Sequence, residues 1–265
     1  MALKMDLHTH STYSDGKLKP VELVKKYHDE EYGIIAITDH DTVKGVAEAK
    51  IAGEALEMQV IAGIELGTIF EDELKLHILG YYIDIENDRL REITETLKKA
   101  REKRNRELLA ILNKQGFDIS EYDLTVFPGQ KYIGKPHFAI ALKNKGYISQ
   151  AKEAFEDGKF LETAEAKAID NICIDTADAV EVIKGAGGIS VLAHPMKIKG
   201  LGEKGSDIFF ENLEILLRKL KKLGLKGIEC FHPSADHEDG LRLVRLADKF
   251  HLHITHGSDF HGMDI

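Results

Sequence analysis

Short apolar runs alternate with helical stretches through much of this 265-residue sequence. Residues 34–38, 59–64 and 189–193 are almost continuously apolar, which is typical of strands that are buried on both faces. The stretches 17–32 and 42–56 lie between such runs and have helical spacing, with Thr42 placed to cap the second. Strands joined through helices run parallel, so the alternation predicts an α/β fold, either a doubly wound sheet or a barrel.

Most of the predicted strands end in a residue type that binds metals. Seven strands can be assigned: an opening run through Leu7, and residues 34–38, 59–64, 74–82, 189–193, 227–231 and 251–256. In an α/β barrel the loops after the strands form one shared face, so side chains that are far apart in sequence converge there. The pattern therefore favours a barrel with a metal site at that face.

The candidate metal ligands are histidines and acidic residues at or near these strand ends. They are His8, His10, Asp15, His40, Glu65, His77, His194, Asp259 and His261. One zinc ion takes three or four protein ligands, so this set predicts two to three divalent ions, and its nitrogen and oxygen donors suit Mn²⁺, Fe²⁺ or Zn²⁺ better than Ca²⁺. Paired cations hold a bridging hydroxide and neutralise charge on a phosphoryl group. The set predicts a metal-dependent phosphoesterase, in which Glu65 and His194 are indispensable.

Composition excludes several other classes of protein. The two cysteines, Cys173 and Cys230, are not in a CxxC arrangement, which argues against a disulfide framework and a thiolate zinc finger. A net charge of -9 argues against duplex DNA as a partner. Without a secretory h-region or a membrane-length apolar run, a cytoplasmic protein is expected. The expected partners are a phosphorylated small molecule, a nucleotide or a short RNA.

A long charged stretch interrupts the alternation after the fourth strand. Residues 89–115 read as one helix, followed by short helical pieces, so residues 86–170 are expected to form an inserted helical cap between barrel segments 1–85 and 171–265. Arg101 and Arg104 lie three apart on one helix face and, with Lys135 and His137, could bind a second phosphate. The alternative is a solvated helix face.

Two further histidines are candidates near the site. His232 follows the sixth strand and could touch substrate or protonate a leaving oxygen, although many loop histidines only form hydrogen bonds. His256 is expected to orient Asp259.

The sequence also carries a family resemblance. DLHTHSTYSDG, ITDHDT, GIE, LHILGY, LAHP and GSDFHG resemble successive motifs of the PHP (polymerase and histidinol phosphatase) superfamily. The resemblance implies a distorted (β/α)7 barrel with a trinuclear site, Mn²⁺ being the most expected metal. It implies three ligand sets: His8, His10, Glu65 and Asp259; Glu65, His77 and His194; and Asp15, His40 and His261.

A segment in the cap narrows the expected substrate. GKPHFAIALKNKGY resembles the trimmed PHP phosphoesterases that act on nucleotides or RNA 5' ends, although those usually have Arg where this chain has Lys135. Lys keeps the positive charge but lacks the guanidinium group, which binds a phosphate through two hydrogen bonds. The expected substrate is a 3',5'-bisphosphonucleotide or the 5' end of a short RNA. The alternatives are a histidinol-phosphate-type phosphatase and a noncatalytic metal- or nucleotide-binding module. An amidohydrolase-type barrel is disfavoured by the seven strands and by Glu65, where that class has a bridging Lys.

Overall fold

The computed structural model describes residues 3–71, 73–169 and 173–262. Its strands form a nearly closed, barrel-like sheet in the order β1-β2-β3-β4-β6-β7-β8, with β5 paired to β3. The first and last strand ends approach each other, since the His10 N–H donates to the Phe260 carbonyl over 2.9 Å. The predicted distorted barrel is therefore confirmed. The strands are β1 Met5–Thr9, β2 Ile34–Ile37, β3 Gln59–Phe70, β4 Leu74–Tyr81, β5 Ile174–Asp175, β6 Ile189–Leu192, β7 Gly227–Phe231 and β8 His253–His256.

Helices flank the sheet and also make up much of residues 86–169, the segment predicted to form a cap. Several begin at residues that suit a helix start: Pro20 opens α1, and the side chains of Asp175, Ser206 and Asp236 accept backbone N–H groups at the starts of α6, α7 and α8. No helix in the described part of the chain is long and apolar enough to cross a membrane. The helices are α1 Pro20–Asp29, α2 Val46–Ala55, α3 Asp88–Lys114, α4 Lys135–Asn144, α5 Ala164–Lys167, α6 Thr176–Gly185, α7 Asp207–Leu223 and α8 His237–Phe250.

The third and fourth strands form an antiparallel hairpin, so the prediction of parallel strands joined by helices is wrong there. Only residues 71–73 separate β3 from β4, which is too short for a crossover helix. β4 also runs antiparallel to β6. β3 continues well beyond its predicted end at residue 64, so Glu65 lies inside the strand rather than after it.

Two smaller differences concern the strand count and a helix cap. The two-residue β5 is an eighth strand, which the sequence pattern did not reveal because it is so short. The strand count therefore no longer argues against an amidohydrolase-type barrel, whereas Glu65 still does. α2 begins at Val46 with Gly45 at its N-cap; Thr42 instead accepts the Lys44 N–H in the preceding turn.

The barrel and the cap have separate hydrophobic cores. The first part of α3 contributes Leu90 and Leu97 to the barrel core, while Leu108 and Leu112 further along it pack into a second core with Phe138 of α4. One helix therefore joins the two regions. The predicted boundary between residues 170 and 171 lies outside the described residues.

Candidate metal centre

Glu65 lies at the centre of the histidine cluster and is fully buried. Its Oε2 lies 3.2 Å from His8 Nε2, 3.3 Å from His10 Nε2 and 3.1 Å from His40 Nδ1. These rings come from the ends of β1 and β2, while the carboxylate comes from β3. One oxygen atom thus meets three imidazoles.

The other carboxylate oxygen of Glu65 faces two further histidines. Oε1 lies 2.8 Å from His77 Nδ1 on β4 and 2.9 Å from His194 Nε2 after β6. Both histidines therefore share one oxygen of the carboxylate that the resemblance assigns to their set. His40, Glu65 and His77 also form a group whose ligand atoms all lie within 4.8 Å of one another.

Asp259, after β8, completes a four-residue group with His8, His10 and Glu65. Its Oδ1 lies 3.5 Å from His8 Nε2 and 3.2 Å from His10 Nε2. This group has the same members as the first ligand set that the resemblance implies.

A second four-residue group contains Asp15, His40, His261 and also His10. Asp15 Oδ1 lies 3.2 Å from His261 Nε2 and 3.9 Å from His10 Nδ1, while Oδ2 lies 3.8 Å from His40 Nε2. His10 and His40 each present one ring nitrogen to Glu65 and the other to Asp15. The groups are therefore contiguous, and all nine candidates belong to one cluster.

Several buried atoms of the cluster lack an ordinary partner. Among the described residues, His8 Nε2, His10 Nε2, Asp15 Oδ1 and Glu65 Oε2 make no hydrogen bond. A buried polar atom without a partner costs about 1–3 kcal/mol. These atoms point at one another in the groups just described, so divalent cations between them would satisfy their lone pairs. The donors are nitrogen and oxygen only, which suits Mn²⁺, Fe²⁺ or Zn²⁺.

The protonation of several ligands also suits a metal site. Burial, with the charge of His261, lowers the pKa of His10 to about 3, and burial lowers that of His194 to about 4. Neutral imidazole is the form that binds metals. Burial alone would raise the pKa of the Asp15 and Glu65 carboxyls, but the neighbouring histidines hold both well below their usual range. These ligands are therefore ready to bind a cation at neutral pH.

Sequence comparison decides the family. The PHP domain model matches residues 6–166, more than half of the chain. The chain belongs to the PHP family. Curated relatives include a 5'-3' exoribonuclease of Haemophilus influenzae, 31% identical over 98% of this chain and 91% of the relative. A phosphoribosyl 1,2-cyclic phosphate 1,2-diphosphodiesterase of Eggerthella lenta is 31% identical over 97% and 94%. A 3',5'-nucleoside bisphosphate phosphatase of Chromobacterium violaceum is 29% identical over 97% and 87%.

Two solved structures have a similar fold over nearly the whole chain. A Bifidobacterium adolescentis protein described as a metal-dependent phosphoesterase matches with a TM-score of 0.84 and 29% identity, over 99% of this chain and 89% of that one. A Chromobacterium violaceum protein called an amidohydrolase, with bound sulfate and no metal, matches with a TM-score of 0.86 and 28% identity, over 97% and 87%. The PHP protein described here is thus a metal-dependent hydrolase of phosphoric esters, as the sequence predicted.

Glu229, which the sequence reasoning missed, supports the PHP centre from β7. It is fully buried; its Oε1 lies 3.0 Å from His8 Nδ1, and its Oε2 accepts the His194 backbone N–H over 2.7 Å. A carboxylate on the far nitrogen fixes the tautomer and orientation of a ligating histidine. The available signal was an acidic residue inside the apolar strand GIECF.

Asp39 has a similar role beneath His10. Its carboxylate accepts the Ser11 N–H over 2.7 Å and the Ser14 hydroxyl over 2.6 Å, and Ser14 Oγ lies 3.3 Å from His10 Nδ1. The loop after β1 is therefore fastened to the end of β2. The available signal in the sequence was Asp39, an acidic residue directly before His40 in ITDHDT.

Backbone strain marks two of the candidate ligands. His194 has φ 25° and Asp259 has φ 54°, both in the left-handed region that non-glycine residues rarely adopt. Such conformations cost of order 1–3 kcal/mol and persist where the surrounding structure enforces them. Here they turn the chain sharply at strand ends and direct both side chains inward.

His232 and His256 differ from each other in what they contact. His232 Nε2 lies 3.2 Å from Asp259 Oδ2, and its Nδ1 lies 2.8 Å from Ser234 Oγ, so His232 reaches the edge of the cluster. His256 does not orient Asp259 as predicted. Its Nε2 lies 2.9 Å from the Met5 carbonyl and links β8 to β1.

Three of the four predicted substrate-binding residues reach the site. Arg101, Arg104 and Lys135 line a cavity of about 320 Å³ together with Asp15, His40 and His77. Arg101 donates to Asp41 Oδ2 over 3.0 Å and stacks 4.0 Å above the centre of the Tyr132 ring. The cations of the cap therefore face the metal-binding groups across one pocket.

His137, the fourth, lies elsewhere. Its ring is fully buried, and its Nδ1 accepts the Gly134 N–H over 3.0 Å at the start of α4. It does not line the cavity that Arg101, Arg104 and Lys135 share. The sequence placed His137 next to Lys135, but helix geometry turns residues two apart to different sides.

Proposed function

We propose that the protein hydrolyses phosphate esters of nucleotides, namely a 3',5'-bisphosphonucleotide or the 5'-terminal nucleotide of a short RNA. The main observation in support is the shared cavity, in which Arg101, Arg104 and Lys135 face Asp15, His40 and His77. A substrate with one phosphate at the metal-binding groups would place a second phosphate or a nucleotide backbone against these cations. Relatives named as a bisphosphate phosphatase and an exoribonuclease act on such substrates.

In this proposal the candidate ligands hold two to three divalent ions, with Mn²⁺ the first to be tested. Bound ions activate water and neutralise charge that develops on the phosphoryl group. Glu65 would contribute both of its carboxylate oxygens as ligands, since each oxygen faces a different set of imidazoles. His8, His10 and Asp259 complete one set, His77 and His194 a second, and Asp15, His40 and His261 a third.

The protein's own side chains have two further roles in the reaction. His232, held by Ser234 and beside Asp259, is proposed to donate a proton to the leaving oxygen. Arg101 and Arg104 are proposed to orient the substrate. Arg101 is preorganised by its ion pair with Asp41 and its stacking on Tyr132, so little side-chain freedom is lost when a phosphate binds.

A substrate panel tests the proposal. Purified protein with Mn²⁺ is given adenosine 3',5'-bisphosphate, a 5'-phosphorylated short RNA, histidinol phosphate and a ribose 1,2-cyclic phosphate. We expect phosphate or nucleotide release from the first two, and its loss in Glu65→Ala and His194→Ala. Absence of turnover across the panel, with metal shown to be bound, would contradict the proposal.

Two alternatives have distinct outcomes in the same experiment. A histidinol-phosphate-type phosphatase would turn over histidinol phosphate fastest. A noncatalytic module would bind nucleotide without turnover and hold one metal ion or none, whereas the proposed enzyme holds two to three per chain by elemental analysis. Retention of all nine candidate ligands in one cluster favours the enzyme.

A further inference from the structure

Lys75 lies beside the candidate ligand His77 on β4. Residues two apart on a strand share a face, and Leu76 and Ile78 between and after them are buried in the core. The antiparallel direction of β4 brings its amino-terminal half to the metal-binding face, so Lys75, two residues before His77, also faces the site. Lys75 is exposed there.

Two cavities flank the metal centre, and Lys75 lines both. The first, of about 320 Å³, contains Arg104 and Lys135; the second, of about 510 Å³, contains His194 and Asp259. Lys75 therefore borders the space that the cations of the cap share with the candidate metal ligands.

Three cations near the site have counterions, whereas Lys75 and Arg104 have none among the described residues. Arg101 pairs with Asp41, Lys135 lies 3.8 Å from Glu162, and Lys197 lies 2.6 Å from Asp259. Lys75 makes no ion pair with any residue in the described ranges. In a protein of net charge -9, an unpaired cation at a functional pocket points to an anionic ligand.

The cations around this pocket also repel one another. Burial lowers the pKa of Lys135; Glu162 opposes this, and the charges of Arg104 and Lys75 lower it further. Arg104, Lys75 and Lys135 are thus close enough to interact. A dianionic group between them would relieve this repulsion.

We propose that Lys75 determines specificity by binding, with Arg104 and Lys135, the substrate phosphate that is not hydrolysed. This inference rests on the proposed function and narrows its substrate class to esters that carry two phosphates. Lys75 acts as a point charge at the junction of the two cavities, so a substrate with one phosphate gains little from it.

Kinetics of Lys75→Met test the proposal. The measured quantity is the ratio of kcat/KM for adenosine 3',5'-bisphosphate to that for adenosine 3'-monophosphate, with Mn²⁺ present. Loss of one charged hydrogen bond is expected to lower this ratio about tenfold. Lys75→Arg is expected to retain most of the preference. Lys199→Met is the matched control, because Lys199 is also an exposed lysine but lines only the second cavity.

The outcomes separate this inference from the proposed function. An unchanged ratio, or an equal loss for both substrates, overturns the role of Lys75 while leaving nucleotide hydrolysis intact. If the wild type hydrolyses neither substrate, the proposed function fails, and calorimetry of the metal-free protein with adenosine 3',5'-bisphosphate still decides the role of Lys75. We expect binding of this nucleotide to be about tenfold weaker in Lys75→Met than in wild type. Equal affinities would overturn the proposed role of Lys75.

Discussion

The two walls of the candidate active-site pocket are built in different ways. On the barrel wall, the buried carboxylates of Glu229 and Asp39 hold His8 and His10 through hydrogen bonds, directly or through Ser14. On the cap wall, Lys135 lies 3.8 Å from its partly exposed partner Glu162. The comparison suggests that the barrel wall fixes the chemistry, and that the cap wall sets which substrate is accepted. Changes on the two walls should therefore affect different measured quantities.

Glu65→Gln is expected to have the largest effect, because it removes the negative charge that five histidines of the cluster face. Loss of several kcal/mol of charge stabilisation corresponds to a fall in kcat of about 10³-fold or more. Metal per chain, measured by elemental analysis, should fall as well. Glu181→Gln, on α6, is the surface control. Near-normal activity in Glu65→Gln would refute the role of Glu65 as a shared metal ligand.

Glu229→Gln tests the support behind the barrel wall. Loss of the carboxylate beside His8 Nδ1 is expected to weaken metal affinity about 10- to 100-fold. Competition with a chromophoric chelator measures this affinity, and circular dichroism checks that the variant is folded. The KM for substrate in saturating metal should change little. A change in KM without a change in metal affinity would contradict the proposed division between the walls.

Metal affinity should depend on pH through His261. Burial alone would lower its pKa, but the Asp15 carboxylate, followed by Asp259, raises it to about 9 in the metal-free protein. A proton therefore competes with the cation below this pH. Affinity is expected to rise up to about tenfold per pH unit between 6.5 and 9, with a proton released on binding. Calorimetry in buffers of different ionisation enthalpy measures the release. His261→Asn should remove this part of the pH dependence of metal affinity. An unchanged pH profile in that variant would show that His261 is not the group whose proton competes with the cation.

Arg104→Met tests the cap wall and should have the smallest effect. We expect KM for adenosine 3',5'-bisphosphate to rise about tenfold, with metal content unchanged, because a charged contact to substrate is lost. Arg106→Met on the same helix is the matched control, since Arg106 is exposed. Equal KM values in the two variants would favour the solvated-face alternative.

Most of the barrel could be predicted from the sequence, because strands buried on both faces leave continuous apolar runs. The β3–β4 hairpin could not be predicted. The apolar run of β3 is interrupted at Glu65, so the strand was predicted to end there, whereas it continues to Phe70. β5 was not predicted because a strand of two residues is too short to show an apolar or alternating pattern.

The candidate ligands were easier to predict than the residues that support them. Ligands such as His40 stand in short polar motifs after apolar runs, where a histidine is conspicuous. Glu229 sits within a strand, and its partner His8 lies at the other end of the chain, so no local pattern joins them. His137 was misplaced because sequence proximity to Lys135 does not reveal which way a side chain turns.

The approach of β1 to β8 has a consequence for how the molecule stays closed. Residues from opposite ends of the chain meet there, as Lys17 N–H donates to the His261 carbonyl over 2.8 Å and His10 lies 3.2 Å from Asp259. A cation bound by His10 and Asp259 would act as a removable crosslink across the seam of the barrel, stabilising only the closed chain. Chelation should therefore increase hydrogen exchange at β1 and β8 before it affects the β3–β4 hairpin, whose strands are joined locally.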